Sequence, residues 1–237
     1  MSFFDFLKST TRYAGSKSAV GRLDLRREFL VSPYQTEING ARILDLASHD
    51  GRWSYALAAA GAREVVGIEA RPELIAQFDE YPHGEVRDRI SFIEADVFDE
   101  LPAMVDRGEK FEVVAIYGLY YHIMDHYRLL KLVSQLKPKL VIIDSEFATY
   151  KQPMIKLMYE DTGKFLNTIA HVDGQQRAPI GIPSHAAMEM MAGSLGYTVE
   201  WANWYDVPPE KRKGLGEYYR DPKEVDRRRG TCALRPA

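Results

Sequence analysis

The sequence predicts a doubly wound α/β fold: a mostly parallel seven-stranded sheet with helices on both faces and an antiparallel pair of strands at its C-terminal end. Three observations lead there. Between residues 41 and 147, short apolar runs of strand type alternate with segments whose apolar residues recur at helical spacing. Beyond residue 184 the rhythm changes, and two strands follow each other with no strong helix between them. A chain of 237 residues, 46% hydrophobic and 27% charged, has the composition of an ordinary globular protein and the length for one large core.

The strand-type runs are residues 42–47, 64–69, 90–95, 111–117 and 140–145. Between them, residues 53–60, 72–81, 98–106 and 127–136 carry the 3.6-residue period. Such a β-α-β alternation gives a parallel sheet with right-handed crossovers. Residues 184–195 read as a helix that Ser184 caps, residues 197–204 as a strand, and residues 231–234 as a short closing strand. The connection 205–229, with Pro208-Pro209 and many charges, reads as an exposed loop.

One domain is expected over residues 1–237. Residues 1–40 form an N-terminal helical cap, 41–147 the ligand-binding core, 148–183 a substrate wall or lid, and 184–237 the C-terminal helix and antiparallel strands.

Charge and sulfur content narrow the function. A net charge of −3 supplies no global positive field for a polyanion, so nucleic acid is not the expected partner. The basic runs Lys211-Arg212-Lys213 and Arg227-Arg228-Arg229 read as solvated loop or, at most, a small phosphate patch. The single cysteine, Cys232, has no partner for an internal disulfide, which suits the cytoplasm. Charge breaks the apolar run at Phe3-Phe4-Asp5-Phe6-Leu7, so it reads as neither a secretory core nor a membrane span. A homo-oligomer stays open.

The most informative local pattern is Ile43-Leu44-Asp45-Leu46-Ala47-Ser48-His49-Asp50-Gly51-Arg52-Trp53-Ser54, a buried strand running into a polar turn that opens a helix. In open α/β sheets a ligand sits outside the carboxyl ends of the strands, beside such a turn. Two further acids end successive strands. Glu69, followed by Ala70, suits a ribose diol; Asp96, followed by Val97 and Phe98, offers an acceptor and an apolar wall for adenine. A lone acid at a strand end more commonly caps a turn, so the ordered set carries the argument. A nicotinamide dinucleotide is disfavoured, because the turn lacks G-x-G-x-x-G and places Asp50 where phosphates would approach.

These residues resemble the class I S-adenosylmethionine-dependent methyltransferase family, whose first strand ends in an acid followed by alternating glycines. Asp45, Ala47, His49 and Gly51 fall at those four positions, so one of the three usual glycines is kept. The resemblance implies a Rossmann-like methyltransferase fold and S-adenosyl-L-methionine as cofactor. It places Asp45, Ala47, Ser48, His49, Gly51, Trp53, Glu69, Ala70, Asp96, Val97 and Tyr117 around that cofactor. The segment Gly118-Leu119-Tyr120-Tyr121-His122, with Ile182-Pro183-Ser184, is also locally similar to tRNA wobble-uridine carboxymethyltransferases.

Methyl transfer needs alignment, exclusion of water and, for a hydroxyl acceptor, removal of a proton. His122, following the fourth strand, is the candidate base, and a structural hydrogen bond is its alternative role; His126 reads as structural or exposed. Asp144 and Glu146 end the fifth strand and could orient an acceptor; a hard cation needs further oxygen ligands and no distinctive third one stands out, so metal dependence is the minority reading. Asn167, His171, Arg177 and His185 are weaker candidates for polar contacts with substrate. The expected reaction is methylation of a small metabolite or natural product, oxygen ahead of nitrogen. RNA modification and non-catalytic cofactor binding are the alternatives.

Overall fold

The computed structural model describes residues 2–237. Its N-terminal part holds a short helical turn, Phe3–Ser9, then α1 (Lys17–Leu30) and the single-turn α2 (Gln35–Ile38). The alternating part follows as β1 (Arg42–Leu46), α3 (Arg52–Ala59), β2 (Glu64–Glu69), α4 (Pro72–Ile75), β3 (Ile90–Glu94), α5 (Val97–Asp106), β4 (Val113–Tyr117), α6 (His126–Gln135) and β5 (Leu140–Ala148). After it come β6 (Ile155–Asp161), β7 (Arg177–Pro183), α7 (His185–Ser194), β8 (Tyr197–Trp201), α8 (Gly216–Tyr219) and β9 (Arg227–Pro236). Where residues 72–81 predict one helix, the chain forms a single α turn and then a 3-10 turn, Ala76–Glu80.

Seven strands form one sheet in the order β3-β2-β1-β4-β5-β9-β8. Strands β1 to β5 are parallel, and β9 runs antiparallel to both β5 and β8. This is the Rossmann-like arrangement expected. Order reverses between β1 and β4, so the connections leaving them diverge and open a crevice at the carboxyl edge.

Strand periodicity builds two cores. Ile43, Val65, Val113, Ala115, Leu140 and Ile142 face one side, where α1, α3 and the N-terminal turn cover them. Leu44, Leu46, Val66, Ile68, Val114, Ile116, Val141 and Ile143 face the other, under α5, α6 and α7. Both faces are buried, as a parallel sheet requires.

Two expectations are corrected here. Residues 205–229 are not simply an exposed loop: α8 and two short turns bury Val207, Leu215 and Tyr218 against Trp204. Trp204 is stacked between Tyr218 and Phe29 of α1, with ring centroids 3.7 and 4.3 Å away. The closing strand is also longer than 231–234, because β9 pairs with β5 over residues 227–234 and with β8 over residues 232–236. Within residues 148–183, β6 and β7 pair antiparallel into a separate two-stranded sheet.

Candidate functional site

The turn after β1 is built from left-handed backbone. Ala47, His49 and Gly51 have φ of 54°, 58° and 78°, the region where L side chains crowd the following carbonyl. These are the three positions at which the related pattern places glycine, and two non-glycine residues hold the same conformation. Gly51 cannot be exchanged: an added Cβ would lie 2.6 Å from Phe78 and 2.8 Å from Phe92. His49 is pinned instead. Its N–H donates to Glu69 Oε2 at 3.0 Å, and its ring lies between Arg12 Nη2 at 3.3 Å and Arg52 Nη1 at 3.1 Å.

A crevice of about 540 Å³ opens at this edge. Ala47, His49 and Trp53 of the first turn line it, with Glu69 and Ala70 after β2, Asp96 and Val97 after β3, and Tyr117 and His122 after β4. Asp45, Ser48 and Gly51 lie behind the lining. Asp45 is buried and accepts a hydrogen bond from Ser54 Oγ at 2.6 Å. Burial pushes its carboxyl up to about 7, against the pull of Ser54 and Arg52.

Glu69 presents a buried carboxylate whose oxygens accept the N–H groups of His49 and Arg71, each at 3.0 Å. Burial raises its pKa, and those two N–H groups partly offset the rise. Asp96 caps α5, its Oδ1 accepting from Phe98 N–H at 2.6 Å, and Phe98 also lines the crevice. Tyr117 is fixed by donation from its hydroxyl to the Leu30 carbonyl at 2.7 Å.

His122 Nδ1 lies 2.7 Å from Glu160 Oε2, and the same oxygen accepts Thr168 N–H at 2.8 Å. Burial opposes ionisation of Glu160, but its bonds to His122 and Thr168 outweigh that and hold its carboxyl below the usual range. Glu160 was not legible as a site residue, because it lies on β6, remote in sequence from His122. His126 is fully structural: it is buried, with Nε2 2.9 and 3.0 Å from the carbonyl oxygens of Tyr120 and Gly181.

Asp144 does not orient a ligand, contrary to expectation. It is buried among Arg26, Arg229, Tyr218 and Thr231, which take both of its oxygens. Burial opposes its ionisation, yet the two guanidinium groups hold its pKa low. Glu146 is likewise engaged, by Arg227 at 3.1 Å. Arg229, expected in a solvated basic run, therefore lines the crevice as a packed side chain. Arg12, Arg22 and Arg26 line it too and were not anticipated. Only the Arg22/Arg26 spacing on α1 could have signalled a shared face.

Among the weaker candidates, Asn167 and His171 reach the crevice, and the Asn167 carbonyl accepts from Arg71 Nη2 at 2.7 Å. Arg177 lies over the Tyr159 ring, and His185 stacks on Trp201 at 3.9 Å; neither lines the crevice. Among the described residues, no helix is long and apolar enough to cross a membrane.

Residues 43–139 match a family model described as a methyltransferase domain. That segment holds β1 to β4 and their connections, from which most of the crevice is built. The match spans less than half of the chain, and over it the sequence is similar to a methyltransferase domain.

Solved structures share the architecture. The N-terminal domain of EvdMO1, crystallised in the presence of SAH and D-fucose, is similar at 15% identity over 89% of this chain and 82% of that one, with a TM-score of 0.61. A putative S-adenosylmethionine-dependent methyltransferase from Listeria monocytogenes is 14% identical over 92% and 99%, with a TM-score of 0.58. The magnesium protoporphyrin IX methyltransferase of Synechocystis PCC 6803, with bound SAM, is 13% identical over 99% and 95%, with a TM-score of 0.54. At such identities the likeness is one of fold. No curated protein matches the sequence.

Proposed function

We propose that this enzyme methylates a small-molecule acceptor, oxygen ahead of nitrogen, with His122 as the base. The observation that carries the reading is the His122–Glu160 pair on the crevice wall. A proton on His122 Nδ1 donates to Glu160, which leaves Nε2 as the basic nitrogen. Glu160 therefore fixes the tautomer and stabilises the imidazolium that forms when the acceptor's proton is taken.

The donor set fits the cofactor. Glu69 suits the ribose hydroxyls, and the free oxygen of Asp96 suits the adenine amino group, with Val97 and Phe98 against the ring. The left-handed turn from Ala47 to Gly51 exposes backbone to the amino-acid end, and Arg12 and Arg52 stand beside it. Asp45 supports this turn from behind through Ser54 rather than by contact. The cofactor's sulfonium would supply an electrophilic methyl group: the acceptor's lone pair would bond to that carbon as its bond to sulfur breaks, and S-adenosylhomocysteine would leave. Tyr117, Leu119 and Ile123 exclude water around that point, and His122 receives the proton the acceptor releases.

A methyl-label transfer assay on fractionated cell extract, with wild type and His122→Ala side by side, tests the reading. Labelled small molecules should form with the wild type. Their rate should fall by about 10²–10⁴ in the variant, the usual contribution of a general base. Wild-type turnover by His122→Ala across the pH range would remove the base role.

A further inference from the structure

We infer that the acceptor carries an anionic group, a carboxylate or a phosphate, held by Arg22, Arg26 and Arg229 at the end of the crevice next to His122. This deepens the methyl-transfer reading and rests on it.

Two guanidinium groups share one carboxylate. Arg26 Nη2 and Arg229 Nε both donate to Asp144 Oδ1 at 2.6 Å, and both side chains also donate through Nε to the Tyr218 hydroxyl, at 2.9 and 3.1 Å. The other oxygen of Asp144 accepts from Tyr218 at 2.8 Å and Thr231 at 2.7 Å. Asp144 is 0% exposed and Arg26 8% exposed, so one positive charge is left over where water screens it poorly. An uncompensated buried cation is expensive, and a ligand anion would compensate it. Among the described residues, neither Arg26 Nη1 nor Arg229 Nη1 has a protein hydrogen bond.

Arg22 adds a second unpaired cation. It sits one helical turn before Arg26 on α1, so the two share a face, and both line the crevice. Arg22 is exposed and has no ion pair among the described residues. Guanidinium groups so placed match the geometry of a carboxylate or phosphate.

The cofactor's own carboxylate is the competing occupant, and the crevice offers it a separate place. Beside the first turn, Arg12 Nε and Arg52 Nη1 lie 3.4 and 2.7 Å from the oxygens of Asp50, a second pair of arginines on one acid. The Arg26–Arg229 centre is anchored instead on Asp144 of β5, with the Arg26 guanidinium 5.2 Å from the Trp53 ring. There the Arg229 guanidinium lies 5.7 Å from the ring of Tyr121, the residue preceding His122. An anion at this centre and a hydroxyl at His122 are within the compass of one small molecule.

Calorimetric binding of benzoate, phenyl phosphate and neutral benzamide to the SAH-saturated enzyme tests the inference without relying on turnover. At least one of the two anions should bind about 10–100-fold tighter than benzamide, the range for charge-assisted hydrogen bonds. Which one wins separates a carboxylate site from a phosphate site. Arg22→Gln, on the surface of α1, should remove most of the preference, and Arg26→Lys, which retains a charge for Asp144, should reduce it. Equal affinity for all three probes, or a preference that survives both variants, would overturn the inference. So would anion binding that disappears on SAH saturation, together with an Arg22→Gln variant that weakens SAH but spares 5′-methylthioadenosine; that pattern gives the arginines to the cofactor. Because no methyl transfer is read, a failure of the base role in the label assay stays distinct from a failure here.

Discussion

His49 shows how a single residue in the first turn carries both strain and charge. Its φ of 58° costs about 1–2 kcal/mol in an L residue, offset by the bond to Glu69 and by the arginines that grip its ring. Burial, reinforced by Arg52, pushes its pKa down to about 4 from 6.5, against the opposing pull of Asp50. The folded chain thus binds fewer protons than the unfolded one between those values, and this contribution to stability is lost as pH falls from 6.5 toward 4. The loss should reach about 2–3 kcal/mol, somewhat less than the full linkage value because the ring keeps some solvent contact. Asp45 tilts the other way, since its pKa of about 7 lies above the unfolded value and its contribution weakens as pH rises. Denaturant titrations of wild type and His49→Asn, a substitution that tolerates positive φ, isolate the histidine in their difference. A difference independent of pH would show that His49 does not titrate in that window. Gly51, Glu69 and Asp96 could be picked out in the sequence because strand ends and turn chemistry are local. Glu160 could not, since its partner lies 38 residues away and nothing nearby marks it.

The β6–β7 hairpin is the element whose behaviour matters most for the acceptor. Its outer face exposes Ile155, Leu157 and Tyr159, while the connection between its strands sends Phe165, Leu166 and Asn167 into the crevice wall. Outside the hairpin itself, where Glu160 accepts Thr168 N–H at 2.8 Å, that connection has few contacts: Arg71 to the Asn167 carbonyl, and Phe165 against the His49 ring at 6.4 Å and the Arg12 guanidinium at 5.7 Å. Segments so lightly anchored open at low free energy. Amides of residues 162–176 should therefore exchange fast in the free enzyme and gain protection with SAH bound, as read by hydrogen exchange and mass spectrometry. Core-like protection in both states would make this a fixed wall. The length of residues 148–183 foreshadows a wall; the pairing of β6 with β7 does not follow from length, because a hairpin with a 15-residue connection between its strands carries no short-turn signal.

For the whole molecule, cofactor binding and folding are linked through the crevice, because its walls come from α1, four strand ends, the hairpin and β9. SAH at a hundred times its Kd should raise the unfolding free energy by about 2.7 kcal/mol. For a chain of this size that corresponds to a Tm increase of about 5–10 °C. Glu69→Ala, losing about 1.5–3 kcal/mol of binding, should reduce the gain at the same SAH concentration to about 0.3–1.3 kcal/mol. An undiminished shift in the variant would remove Glu69 from the ribose.

The sequence by itself determined the doubly wound sheet, its run of strands and helices, and the edge at which the crevice opens. Those features follow from backbone sterics and from apolar periodicities of 2 and 3.6, which are written into neighbouring residues. It also marked Ser184 as a cap and Gly51 as a turn residue, again from local backbone chemistry. Only the tertiary structure decided that Asp144 is spent on arginines, that residues 205–229 carry a core, and that Glu160 meets His122. Arg26 and Arg229 reach Asp144 across 118 and 85 residues of chain. Such pairings leave no trace in local spacing, because packing brings them together once the β5–β9 ladder and the Trp204 stack have fixed where α1 lies.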